Sequence, residues 1–328
     1  MGMELFGVAL GSLGGGMGEA SLLALAGKLD DDHGGLITAF SSGTGLAGVF
    51  GFAWHVFFVD LLQLSITQSL VIANLLAVTY GAIYTYCLDD FQVDSKYCTL
   101  LNTCDCDEDT ESESESDFSA MEESINNNSS YQKQPISLSD WEVHQLSAGQ
   151  RARLVLSLWP YMIPLFVVYA SEYALQSGAW TAIGFPVDDI QARALFYEYS
   201  NWMYQIGVFL SRSSGTVYQA SLPILWLMPA IQCTNLLFFC YTAITHTWYS
   251  WSLLSLCFLA GLLGGAVYVN AFTRINMDVP PHQREFALAS ASVADSLGIL
   301  FANVLGLFIQ SCLYQVNGID GAIATCPL

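Results

Sequence analysis

Four acidic side chains lie inside stretches apolar enough to cross a bilayer: Glu19, Glu172, Asp295 and, nearer the end of its stretch, Asp60. Moving a carboxylate into hydrocarbon costs roughly 3 kcal/mol, so such residues face a bundle interior or a watery path. This feature predicts an all-α polytopic membrane protein with a polar route through it. A channel, transporter or pump is the first class to consider. Composition agrees, with 53% apolar residues and 12% charged ones, against a usual charged share of about 25%.

Membrane-length apolar runs occur at 5–27, 36–59, 64–88, 154–180, 196–215, 222–245, 250–272 and 285–313, which predicts about eight transmembrane helices. The fifth is the weakest, because Asn201, Gln205 and Arg212 dilute it. If the runs alternate in direction, Lys28, Arg151, Arg153, Arg212, Arg274 and Arg284 share one side, with Arg193 opposite. The positive-inside rule assigns the shared side to the cytosol. The first run has no basic leader, so a cleavable signal peptide is not expected.

These runs divide the chain into residues 1–88 (part of an N-terminal helical half), an acidic linker at 89–150, and a C-terminal half at 151–328. The formal charge of −20 is mostly local: residues 89–142 hold 15 acids against Lys96 and Lys133. A sequence such as 105–117 cannot collapse on an apolar core and is expected to be disordered and cytosolic. Ser112, Ser114 and Ser116 suit acid-directed kinases, although an unmodified linker is the plainer reading. Asn127 and Asn128 head glycosylation sequons on the wrong side of the membrane. Tyr97 and Leu100 fit a tyrosine-based signal for sorting adaptors.

Cysteine usage argues against a disulfide framework. Cys233, Cys240, Cys257 and Cys312 lie in apolar runs and read as small core residues. Cys98, Cys104 and Cys106 lie in the cytosolic loop, where thiols stay reduced. Cys104 and Cys106 lack the further ligands of a zinc site, so no metal is expected. No P-loop, metalloprotease or nucleophile-elbow signature is present, and neither an enzyme, a cofactor nor a nucleic-acid partner is expected. Transport would then be passive or ion-coupled, with a small solute, membrane lipids and protons as partners.

Gly7, Gly11, Gly14, Gly15 and Gly18, and again Gly261 and Gly265, fall at four-residue spacing. Such spacing bares one helix face for close packing, static or sliding. The patch Ser41-Ser42-Gly43-Thr44-Gly45 is expected to unwind locally and offer hydroxyls to a ligand. At 1.5 Å per residue, Asp295 lies ~16 Å into its helix, Glu19 about 21 Å and Glu172 ~27 Å. Glu172 would thus sit near the lumenal mouth, with Pro160 and Pro164 kinking its helix. Carboxyls at such depths suit proton coupling, while a structural hydrogen bond is the competing reading.

The segments Val168-Tyr169-Ala170-Ser171-Glu172-Tyr173, Met203-Tyr204-Gln205 with Gly207-Val208-Phe209, and Ser211-Arg212-Ser213-Ser214 resemble the battenin family. So do Gly264-Gly265-Ala266 with Tyr268-Val269-Asn270, Arg284-Glu285-Phe286-Ala287, and the Gly18-Glu19 and Ser41–Gly45 regions. The resemblance implies a major-facilitator-like bundle in the lysosomal or vacuolar membrane, entered here at the fourth of about eleven helices. It also implies a role in organelle pH balance and in moving basic amino acids or glycerophosphodiesters. On that reading Glu19 and Asp295 are proton or cation sites and Glu172 stands at the lumenal gate. Ser41, Ser42, Tyr204, Gln205, Arg212 and Asn270 are candidate polar contacts. Arg212 would meet a phosphodiester or carboxylate if it turned inward, while charge topology points it to the cytosol. The alternative is a non-transporting scaffold that acts in trafficking through the acidic loop.

Overall fold

The computed structural model describes residues 2–29, 34–88, 147–322 and 324–326. The acidic segment lies outside the described residues, and with it Tyr97, Leu100, the Ser112, Ser114 and Ser116 cluster, Asn127, Asn128, Cys98, Cys104 and Cys106. Among the described residues there are nine α-helices and no strand. They are α1 (Gly2–Leu29), α2 (Gly35–His55), α3 (Ile66–Ile83), α4 (Ala148–Ser157), α5 (Trp159–Ser177), α6 (Ile190–Arg212), α7 (Leu222–Thr245), α8 (Leu253–Asp278) and α9 (Pro281–Val316). Every one of the eight apolar runs carries a helix, as expected for an all-α polytopic membrane protein. Five helical segments are long and apolar enough to span a bilayer alone, and a sixth if α4 and the stretch from Trp159 to Ala182, bent by 62°, form one span. Neither α1, with its glycines and Glu19, nor α6, with Glu198, Asn201, Gln205 and Arg212, reaches that threshold.

The chain forms two units, residues 1–57 with 147–328, and residues 58–146. In the second, α3 begins at a capping box in which Ser65 and Gln68 satisfy each other's backbone N–H groups. The first unit holds the other eight described α-helices. There α6 lies along α8, α5 along α9, α1 against α9, and α2 against α6.

Local chemistry explains the breaks. A second capping box, Ser147 with Gln150, starts α4. Pro160 occupies the first turn of α5, where a missing N–H costs nothing, and its ring would clash with a continuing α4. The chain therefore turns at Leu158, two residues before the first expected kink at Pro160, while Pro164 lies inside α5. Asp189 caps α6 by accepting from Gln191 N at 2.9 Å.

Two apolar clusters fill the first unit. One, with Leu23, Ile37, Leu165, Val168, Phe272, Ile275 and Leu288, lies toward the end bearing the basic residues. The other gathers Trp180, Phe196, Phe239, Leu253, Cys257 and Leu313 at the opposite end. The basic end is tied by Tyr161 Oη donating to Asp278 at 2.5 Å, Arg274 Nε to the Ala220 carbonyl at 2.6 Å, and Arg151 over the Phe286 ring. At the other end Asn317 donates to the Ala243 carbonyl at 3.0 Å and pairs with His246 at 2.7 Å.

Cysteine chemistry departs from the expectation. Cys312, near the end of α9, forms a disulfide with Cys326, 14 residues on. The return is made by Gly318 and Gly321, both at positive φ, which only glycine adopts without strain. Disulfides persist in oxidising compartments, so the bridge is compatible with the orientation expected from the basic residues, which puts this end away from the cytosol. Maleimide labelling of Cys312 should therefore require prior reduction in the wild type and proceed without it in Cys326→Ser. Labelling of the unreduced wild-type residue would contradict the pairing. Cys257 is buried and Cys233 and Cys240 half-buried, as small core residues.

Candidate functional site

Charged residues meet where the two apolar clusters join. Arg212, on the last turn of α6, turns inward rather than toward the cytosol. Its Nη1 donates to Thr44 Oγ1 at 2.5 Å and its Nη2 to Tyr169 Oη at 2.7 Å. The guanidinium carbon lies 3.8 Å from the centre of the Tyr268 ring, a close cation–π contact. Nε is buried with no hydrogen-bond partner. Two hydroxyls and a ring, supplied by α2, α5 and α8, thus hold this cation.

Carboxylates surround it at one remove. Tyr268 Oη donates to Glu19 Oε1 at 2.6 Å, so one tyrosine touches the cation with its face and the carboxylate with its hydroxyl. Tyr204 Oη donates to Glu172 Oε1 at 2.9 Å. The other Glu172 oxygen is buried without a hydrogen-bond partner, pressed on Gly264. Asp295 is 3% exposed and accepts from Ser296 N at 2.9 Å. The charges of Glu19 and Arg212 both act on Asp295, and those of Asp295 and Arg212 on Glu172. Glu19, Glu172, Asp295 and Arg212 therefore form one electrostatic network.

Glu172, expected near the lumenal mouth, lies five residues before the end of α5 at Ser177 and is 1% exposed, enclosed by protein. The Ser41–Gly45 patch does not unwind either, since α2 is continuous through it. Thr44 back-bonds to the Ser41 carbonyl at 2.9 Å, and Gly45 lets α2 approach the Phe209 backbone of α6. Ser42 pairs with Ser213 at 2.8 Å. Ser41 Oγ is buried with no hydrogen-bond partner. Gln205 packs its carboxamide over Gly48 of α2. Asn270 stands apart from the charges: it accepts from Ala220 N at 2.5 Å and donates to the Ala266 carbonyl at 2.8 Å. Its Oδ1 pins the α6–α7 connection to α8, while its Nδ2 is held by the carbonyl of its own helix.

Tyr169, Tyr268 and Thr44 were not among the expected site residues, although all three fall in the segments that carry the family resemblance. Tyr169 stands three residues before Glu172, hence on the same helix face. Tyr268 follows Gly264 and Gly265 by one turn. Tyr173 stacks on Tyr169 with ring centres 6.1 Å apart, extending the aromatic wall.

The fold and this interior network define a polytopic helical membrane protein built around a half-buried cation and three carboxyls. Matches to known proteins give the particular family. The CLN3 protein family model matches residues 1–316, and the chain belongs to that family, the battenins. It is 30% identical over 327 residues to Protein BTN1 of Kluyveromyces lactis, covering 95% of this chain and 73% of that protein. Protein BTN1 of Yarrowia lipolytica is 31% identical, with 96% and 74% covered, and that of Candida albicans 32%, with 95% and 74% covered. No solved structure is a significant match.

Proposed function

We propose that the protein moves small polar solutes across the lysosomal or vacuolar membrane, coupled to protons or by facilitation. The observation that carries this reading is Arg212, a half-buried guanidinium held by the neutral Thr44, Tyr169 and Tyr268. A half-buried cation held this way is suited to receive an anionic group, with the planar donor fork matching a carboxylate or phosphodiester. Glycerophosphodiesters, and amino acids through their carboxylate, carry such a group. Glu19, Glu172 and Asp295 are the seats for a coupling proton, within electrostatic reach of the bound anion.

The test is metabolite content of lysosomes or vacuoles lacking the full-length protein, rescued by wild type or Asp295→Asn. The amide nearly preserves shape and removes the titratable group. Accumulated phosphodiesters should be cleared by wild type and not by Asp295→Asn, with both proteins in the same membrane at equal abundance. Clearance by both would make Asp295 structural. Accumulation of nothing small, with sorting disturbed, would replace the transporter reading with the trafficking scaffold.

A further inference from the structure

A second site lies on the flank of the bundle, away from the charge network. Helices α7 and α8 diverge around a groove of about 640 Å³, within the range of pockets that take one small molecule. Its floor is apolar, with Leu227, Ile231, Phe238 and Leu259. Leu227 is 55% exposed, so the groove opens outward, and both helices are membrane spans. In a bilayer, an apolar flank of this kind is open to lipid.

One end of the groove is polar. Asn235 lines it and is 5% exposed, donates through Nδ2 to the Leu256 carbonyl at 3.2 Å, and leaves its Oδ1 buried with no hydrogen-bond partner. Hydrocarbon cannot satisfy such an acceptor, and leaving it unmade costs about 1–3 kcal/mol. Leu256 is three residues into α8, so the Asn235 carboxamide lies only about 5 Å below the start of that helix. Just above it, Trp248 Nε1 donates to Ser252 Oγ at 2.8 Å, and both residues line the groove. Trp248 is held at φ 57°, a left-handed conformation costly for an aromatic residue, and an indole at this level suits a membrane interface.

We infer that this groove binds one membrane lipid with a hydroxyl head and a compact apolar body, a sterol in chemical class. The hydroxyl donates to Asn235 Oδ1 near the end opposite the basic residues, and the apolar body lies along Ile231, Phe238 and Leu259. A two-chain phospholipid fits less well, because its phosphate would meet no cation in the groove lining.

Photolabelling of the full-length protein in nanodiscs by a photoactivatable sterol with a free 3-hydroxyl tests this. Labelling should be saturable, map to α7 and α8, and be competed by unlabelled sterol but not by its acetate ester. Asn235→Leu removes the acceptor and should weaken labelling about fivefold, equivalent to one hydrogen bond. Ala230→Trp fills the groove and should abolish it, with thermal unfolding checked alongside; Arg212→Lys should label like wild type. Equal competition by the acetate, labelled peptides outside α7 and α8, undiminished labelling of Asn235→Leu, or preferential capture of a phospholipid probe would each overturn the assignment.

Discussion

Arg212→Lys is expected to abolish solute movement while leaving the protein folded and correctly located. Lysine retains the positive charge but cannot hold the fork that reaches Thr44 and Tyr169 together. Hydrogen bonds to charged groups contribute about 1.5–3 kcal/mol each, and a flat guanidinium over an aromatic face adds about 0.5–2 kcal/mol. Losing one such bond to a bound anion corresponds to roughly 10- to 150-fold in affinity. The measurement is phosphodiester content of organelles expressing the variant at wild-type abundance. Glu19→Gln is the companion: it keeps an acceptor for Tyr268 and removes the charge, so it should lower the rate of movement more than the affinity. If Arg212→Lys clears solute like wild type, Arg212 is a packing residue and the anion-binding reading falls.

The largest effect on stability is expected at Gly261. A methyl there would overlap the Tyr204 carbonyl oxygen of α6, and neighbouring positions are close to helix backbone as well. Gly207 faces the Phe258 carbonyl, and Gly265 faces Ser211 and the Val208 carbonyl. The overlap is with helix backbone, which cannot rotate away, so Gly261→Ala should exceed the usual 1–3 kcal/mol of overpacking. Loss of folded protein on thermal unfolding of the purified chain is the readout. Gly18→Ala is the control. It adds the same methyl where nothing lies within 4 Å, and alanine favours helix over glycine by about 1 kcal/mol. It should be neutral or stabilising. Equal effects at the two sites would contradict the crossing of α6 and α8.

These glycines also show how far sequence reasoning reached. Four-residue spacing occurs on α1 and on α8, but only the α8 set meets a partner helix among the described residues; Gly14, Gly15, Gly16 and Gly18 have open space beside them. Spacing marks a bare face and carries no record of what fills it. The apolar runs located eight helices because bilayer thickness imposes length and hydrophobicity on each. Helix α4 escaped that test, since Gln150, Arg151 and Arg153 break any apolar run, although its capping box at Ser147 and Gln150 was readable.

The buried carboxylates were visible because they are exceptions in apolar surroundings. Their partners were not, because Tyr169, Tyr204 and Tyr268 blend into a chain with 16 tyrosines. Arg212 was placed in the cytosol by a rule about loops, whereas a helix-terminal arginine with a long stem can fold back into the bundle. The Cys312–Cys326 bridge depends on a reversal after α9 that only the backbone reveals. Asn270, expected to meet solute, is occupied by Ala220 and Ala266.

Flux through the full-length protein reconstituted in liposomes, with a radiolabelled glycerophosphodiester and an imposed pH gradient, tests the central claim most directly. The account predicts saturable flux that the gradient accelerates and that Arg212→Lys eliminates. Flux no greater than in empty liposomes, or unchanged by Arg212→Lys, would contradict it.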